Sequence, residues 1–268
     1  MAVIPQSLFL AFFLTIAVGA AQAHDVKSHP SQDKLASWID LSQSIGTQSS
    51  WRFMALQGPD TTESVTMESI PGKIRLCVTR DNGASCFPNL DHVLSSSSGD
   101  DDYSDPHYLT DARIVRPRTD RPLLLIQVAS QHSGDGDQRV ATVALAYDHA
   151  HDNFTLVYEK QTGRNNNQEI RYISDGPLVG AIISAEPTDD APFGFWITVD
   201  RLGPSGGYKQ VLRYRSATRY GDDNTLAVID SDMPNILQKL GLWHPGMKLP
   251  LPAEECSKPR LIGQELWC

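Results

Sequence analysis

The chain has little basic charge: 23 Lys+Arg stand against 32 Asp+Glu, a formal net charge of −9. Polyanionic partners require a basic face, so neither nucleic acid nor an anionic membrane surface is expected to be bound. After residue 23 no apolar run approaches the roughly 20 residues of a membrane helix, so no membrane insertion of the mature form is expected. HExxH, a Gly-rich phosphate loop ahead of a helix and an EF-hand loop are all missing from the sequence, which removes the commonest metalloprotease, nucleotide and calcium motifs. Helix-length segments between strand candidates are missing too, which excludes a doubly wound parallel sheet. The remainder is 40% hydrophobic over 268 residues, enough for a packed core in one large domain or two small ones.

Residues 1–23 read as a secretory signal. Leu8 to Ala20 is a short apolar run that ends in Ala21-Gln22-Ala23, the small-x-small pattern of a cleavage site. The mature chain then starts at His24 and is secreted or periplasmic. Export makes the four cysteines, Cys77, Cys86, Cys256 and Cys268, disulfide candidates rather than metal ligands, because neither local pair has zinc-ligand spacing. Lys73 to Arg80 alternates, and Asp81-Asn82-Gly83 signals a hairpin turn that would face Cys77 to Cys86 on its wetter side. Cys256 with Cys268 would tie down the tail.

The expected fold is all-β: a large antiparallel meander, as an irregular sandwich or a small propeller, with short flanking helices. Residues 24–50 hold an arm and a short helix, with Ser31 as cap, Leu35, Trp38, Ile39 and Ile45 on one stripe, and Gly46 as stop. Residues 51–230 carry the strands, at 51–57, 64–69, 73–80, 122–130, 139–147, 153–160, 168–173, 178–185, 193–201, 207–216 and 225–230. Ile126-Gln-Val128 with Asn153 to Val157 is echoed, at one constant spacing, by Ile197-Thr-Val199 with Asn224 to Val228, a pattern compatible with repeated meanders. Residues 231–268 hold a second short helix, capped by Ser231 or Asp232 with Pro234 in its first turn, and an irregular disulfide-closed tail. Asn89 to Arg121, with its Ser95–Asp105 run, reads as a surface loop.

Four constellations could carry chemistry. His149-Ala150-His151, flanked by Asp148 and Asp152, reads first as a solvated hairpin turn. In an extended segment, however, the two His would point to one side and could share a transition metal. His24, once amino-terminal, could chelate copper through its amine and imidazole. In that single respect the chain is similar to the lytic polysaccharide monooxygenases, although Asp25 to Pro30 reads as a loose arm. Asp100, Asp101, Asp102 and Asp105, with Asp135, Asp137, Asp222 and Asp223, supply the carboxylates that calcium requires, and are equally ordinary turn residues. Gly203-Pro-Ser205-Gly-Gly207 satisfies G-x-S-x-G, with Asp222, Asp230 and His244 following in triad order. It joins two strands, so it reads as a turn and not as a nucleophile elbow. The five tryptophans are expected to be buried.

No cofactor is required by these patterns. The reading is an exported module that binds a protein or an extracellular polysaccharide or other polymer. The alternative is a metal-dependent secreted enzyme centred on His149 and His151.

Overall fold

The computed structural model describes residues 33–62, 67–94, 105–132, 138–162, 169–191, 193–217, 224–252 and 256–268. The signal-like segment, His24, Ser31, residues 95–104 with Asp100, Asp101 and Asp102, and Asp135, Asp137, Asp222 and Asp223 lie outside the described residues.

In chain order the strands are β1 (Lys34–Asp40), β2 (Arg52–Gln57), β3 (Thr61–Thr62), β4 (Ser69–Ile70), β5 (Ile74–Thr79), β6 (Tyr108–Arg118), β7 (Arg121–His132), β8 (Gln138–Asp148) and β9 (Asn153–Thr162). They continue as β10 (Glu169–Tyr172), β11 (Ile182–Pro187), β12 (Phe195–Leu202) and β13 (Tyr208–Ser216). Helix α1 (Val228–Lys239) and the short strands β14 (Arg260–Ile262) and β15 (Glu265–Trp267) follow. Three antiparallel sheets result, ordered β1-β2-β5, β6-β7-β8-β9 and β10-β11-β12-β13, besides two small ribbons. The fold is therefore all-β with antiparallel pairing throughout.

The sheets stack face to face. Phe53, Leu76 and Val78 of the first sheet meet Leu124, Ile126 and Val143 of the second. The alternate residues Leu123 and Leu125 turn the other way, onto Ile182 of the third sheet. Behind it, Ile183, Ile197 and Val199 pack on Ile229, Ile236 and Leu237 of α1. A strand buried on both faces needs a continuous apolar run, and Leu123 to Ile126 supplies one. A β-bulge opposite Ala144/Leu145 switches β9 between layers. Phe154 consequently joins the first interface and Tyr158 the second.

The meanders resemble propeller blades, but the ring is not closed. Among the described residues no apolar cluster joins the first sheet to the third, and α1 covers the third sheet's outer face. The sequence echo is not a structural repeat. Ile126 lies on the second strand of its sheet and Ile197 on the third of its own, while Asn224 to Val228 leads into α1 instead of forming a strand at 225–230.

Several elements differ from expectation for identifiable reasons. Residues 34–40 form a strand, with only a π-helical turn at Ser42–Gly46. Pairing Ile39 with Phe53 and Trp38 with Met54 overrides the helical spacing of the stripe. Strand β6 occupies what reads as loop, because Asp111, Arg113 and Pro117 are tolerated on a sheet edge. Helix α1 starts at Val228 with no side-chain cap from its own N-cap, Ala227. Glu169 of β10 replaces that cap, accepting the Ile229 amide at 3.0 Å. Arg171 holds Asp230 through two hydrogen bonds of 2.7 and 3.1 Å and also pairs with Glu169. Burial pushes the Glu169 carboxyl up, against the pull of Arg171. The expected caps have other work inside the helix: Ser231 donates to the Leu266 carbonyl at 3.0 Å, and Asp232 accepts from Tyr214. Pro234 accordingly lies in the helix interior.

Both local disulfides are present, Cys77–Cys86 with Cα atoms 4.9 Å apart and Cys256–Cys268 with Cα atoms 5.7 Å apart. The first is not on a wet face, since Cys77 is fully buried. No strand follows the Asp81–Ser85 turn, in which Asp81 Oδ1 accepts the Ser85 amide at 2.9 Å. The tail carries the β14–β15 ribbon rather than being wholly irregular.

Ile126 is completely buried in the middle layer, whereas Leu156 of the same sheet is 43% exposed. Ile126→Ala is expected to lower the unfolding free energy by about 3 kcal/mol, and Leu156→Ala by less than about 1 kcal/mol. Urea unfolding of both variants measures this; equal losses would contradict the layer assignment.

Candidate functional site

Meander sheets collect their hairpin turns at the sheet ends, and here three turns converge. The β6–β7 turn brings Arg121, the β8–β9 turn brings Asp148 and His149, and the β12–β13 turn brings Ser205. With Ile45 of the π-helical turn they border a cavity of about 620 Å³. Gly206 (φ +92°) lets the last turn close, donating its amide to the Gly203 carbonyl at 3.0 Å. A side chain at Gly206 would also run into the Arg121 guanidinium, since a Cβ there would overlap Nη1.

One carboxylate fixes the β8–β9 turn. Asp152, in the left-handed region at φ +44°, closes it. Its Oδ1 accepts from Trp51 Nε1 at 2.8 Å and from the Tyr147 hydroxyl at 2.7 Å. Oδ2 accepts from Ser49 Oγ and, at 3.1 Å, from Arg80 Nη1. The donated hydrogen bonds from Ser49, Trp51 and Tyr147, reinforced by Arg80, hold the Asp152 carboxyl down at about 2. Tyr147 passes the constraint on: its hydroxyl accepts the Gln48 amide at 2.8 Å, and its ring meets His149 edge-on with centroids 4.7 Å apart. Gln48 Nε2 donates to the His149 carbonyl at 2.8 Å. The segment leading into β2 and the tip of sheet two are thus joined at His149.

His149 and His151, the alternative metal-ligand pair, lie in the hairpin turn that is the first reading of this segment. Residues 149–152 form a turn, so the extended geometry that would align His149 with His151 is replaced. His149 lines the cavity. His151 Nδ1 lies 2.7 Å from Asp148 Oδ2, with its side chain 73% exposed. That contact and the Ala150 amide hold the Asp148 carboxyl below its usual range. Among the described residues no group of three or more His, Cys, Asp or Glu converges on a point. Asp105, of the acidic loop, is ion-paired with Lys73.

Ser205 sits exposed in a strand-to-strand turn. Among the described residues it forms no hydrogen bond with His149, and Asp230, the next residue of the nominal triad, is held by Arg171. Chemically, the cavity presents a guanidinium, an imidazole, a hydroxyl and the carboxylates of Asp120 and Asp148 beside apolar side chains. Trp51 and Trp243 are buried as expected, but Trp38 is 58% exposed on the first sheet. Sequence reasoning missed Arg121 and the Asp152 knot, because the residues that meet there lie far apart in the chain and show no shared spacing. No family model, characterised protein or solved structure matches this chain.

Asp152 carries a sign-definite prediction. Its native pKa lies below the unfolded value of 3.8. Its stabilising contribution is therefore complete above pH 3.8 and is lost as pH falls toward about 2. Asp152→Asn, which cannot titrate, should flatten the fall of the urea midpoint over that window. A wild-type midpoint that rises as pH drops through it would contradict the assignment.

Proposed function

We propose that this chain is an exported binding module that engages a protein partner or an extracellular polymer at the three-turn cavity. The supporting observation is the cavity itself, about 620 Å³, a volume within the usual range of ligand sites. It is set on loops held by a stacked β scaffold, the arrangement in which recognition residues are commonly carried. The signal-like amino terminus and the two bonded cysteine pairs support an oxidising, extracytoplasmic setting.

The test is site-directed photo-crosslinking in the native compartment. A photoreactive residue at Ala150, on the cavity wall, should capture one recurrent protein or polymer. The same group at Met247, exposed but away from the cavity, should not. Equal capture at both positions would overturn the assignment. So would one equivalent of zinc or copper in the purified protein that disappears in His149→Ala, His151→Ala, since that result favours a metal enzyme. Amino-terminal sequencing should begin at His24; a retained leader would overturn export.

A further inference from the structure

Among the described residues, one cation of the cavity lining, Arg121, has no ion-pair partner. Arg121 opens β7, and its guanidinium lies over Gly206 at the cavity wall. Among the described residues it meets no carboxylate and makes no hydrogen bond. The two carboxylates nearest in the lining are oriented elsewhere. Asp120 lies 4.0 Å from Arg118 Nε with its side chain 80% exposed, and Asp148 is taken by His151 and the Ala150 amide. Asp152 is saturated by its four donors. A partly buried guanidinium left unpaired beside a cavity is a poor use of charge unless something anionic arrives.

We propose that the group this cavity takes from its partner is a single carboxylate, seated on the Arg121 fork with the adjoining apolar part toward Leu156 and Ile45, for which a short alkanoate is the probe. This rests on the cavity being the ligand site. A planar guanidinium matches a carboxylate through two parallel hydrogen bonds, which a lysine cannot reproduce. His149 and Ser205 also line the cavity and would complete the oxygen contacts. The apolar part follows from Leu156, a leucine 43% exposed at this wall. A single carboxylate rather than a polyanion follows from net charge: at −9 the protein repels an extended anionic chain.

The experiment is calorimetric titration of the full mature protein with hexanoate, against hexanamide as the uncharged analogue of equal length. Hexanoate should bind saturably at one site, at least about tenfold tighter than hexanamide. Arg121→Gln should abolish that preference, and Arg121→Lys should weaken hexanoate about tenfold, with both variants keeping the wild-type unfolding midpoint. Equal binding of acid and amide, unchanged binding in Arg121→Gln, or no saturation by about 10 mM would each overturn the proposal. If hexanoate fails while Ala150 still crosslinks a ligand, only the carboxylate assignment falls; if both fail, the cavity is not the site.

Discussion

The architecture depends on two central strands of the middle sheet that have no free face. Strands β7 and β8 bury side chains in both directions, Leu124 and Ile126 toward the first sheet, Leu123 and Leu125 toward the third. Such a sheet cannot be left at a surface, because burying one large aliphatic side chain is worth roughly 1.5–3 kcal/mol and exposing either face forfeits several of them. The neighbouring sheets are therefore obligatory partners of the middle one. With α1 they make a four-layer stack, and the first sheet turns a face to solvent, marked by Trp38.

Apolar contact sets the layers but leaves their rotation about the stacking direction weakly specified. Directional polar contacts supply what is missing. At the first interface Asp152 gathers Trp51, Ser49, Arg80 and Tyr147 from two sheets onto one carboxylate. At the far end Arg171 grips Asp230 and Glu169, fixing α1 against β10. The Tyr158 hydroxyl donates to Asp200 at 3.4 Å between sheets two and three, where burial raises both groups' pKa values. With the sheets held in angle, their hairpin turns come to one place, and the cavity is the consequence. Its character follows from what these knots consume: Asp148 and Asp152 are occupied, and among the described residues Arg121 is not.

How much of this was legible in the residues depends on how local each cause is. Strands β2, β5, β7, β8, β9, β12 and β13 read directly, since period-2 alternation or a continuous apolar run is written along each one. Both disulfides followed from proximity in the chain and from an even cysteine count. The elements that misread are those decided by a distant partner. Strand β1 spells a helical stripe until β2 lies beside it, and β6 looks like loop because its charges and Pro117 suit an edge. Helix α1 begins three residues before its expected cap because Glu169, far upstream, caps it. For the site, His149 was visible as an unusual residue. Arg121 and Ser205 come to line the same cavity only when three turns meet, and the His149–Asp152 segment takes the hairpin turn that is its first reading, with Asp152 at positive φ.

Native-state hydrogen exchange tests the stack most directly. If the middle sheet is enclosed from both sides, amides of Leu124, Ile126, Val143 and Leu145 exchange only through global unfolding, while those of Trp38 and Ile39 on the outer β1 exchange through smaller openings at measurably lower free energy. Exchange of the β7 and β8 amides at the same free energy as β1, through local opening, would contradict the enclosed middle layer and with it the placement of the cavity.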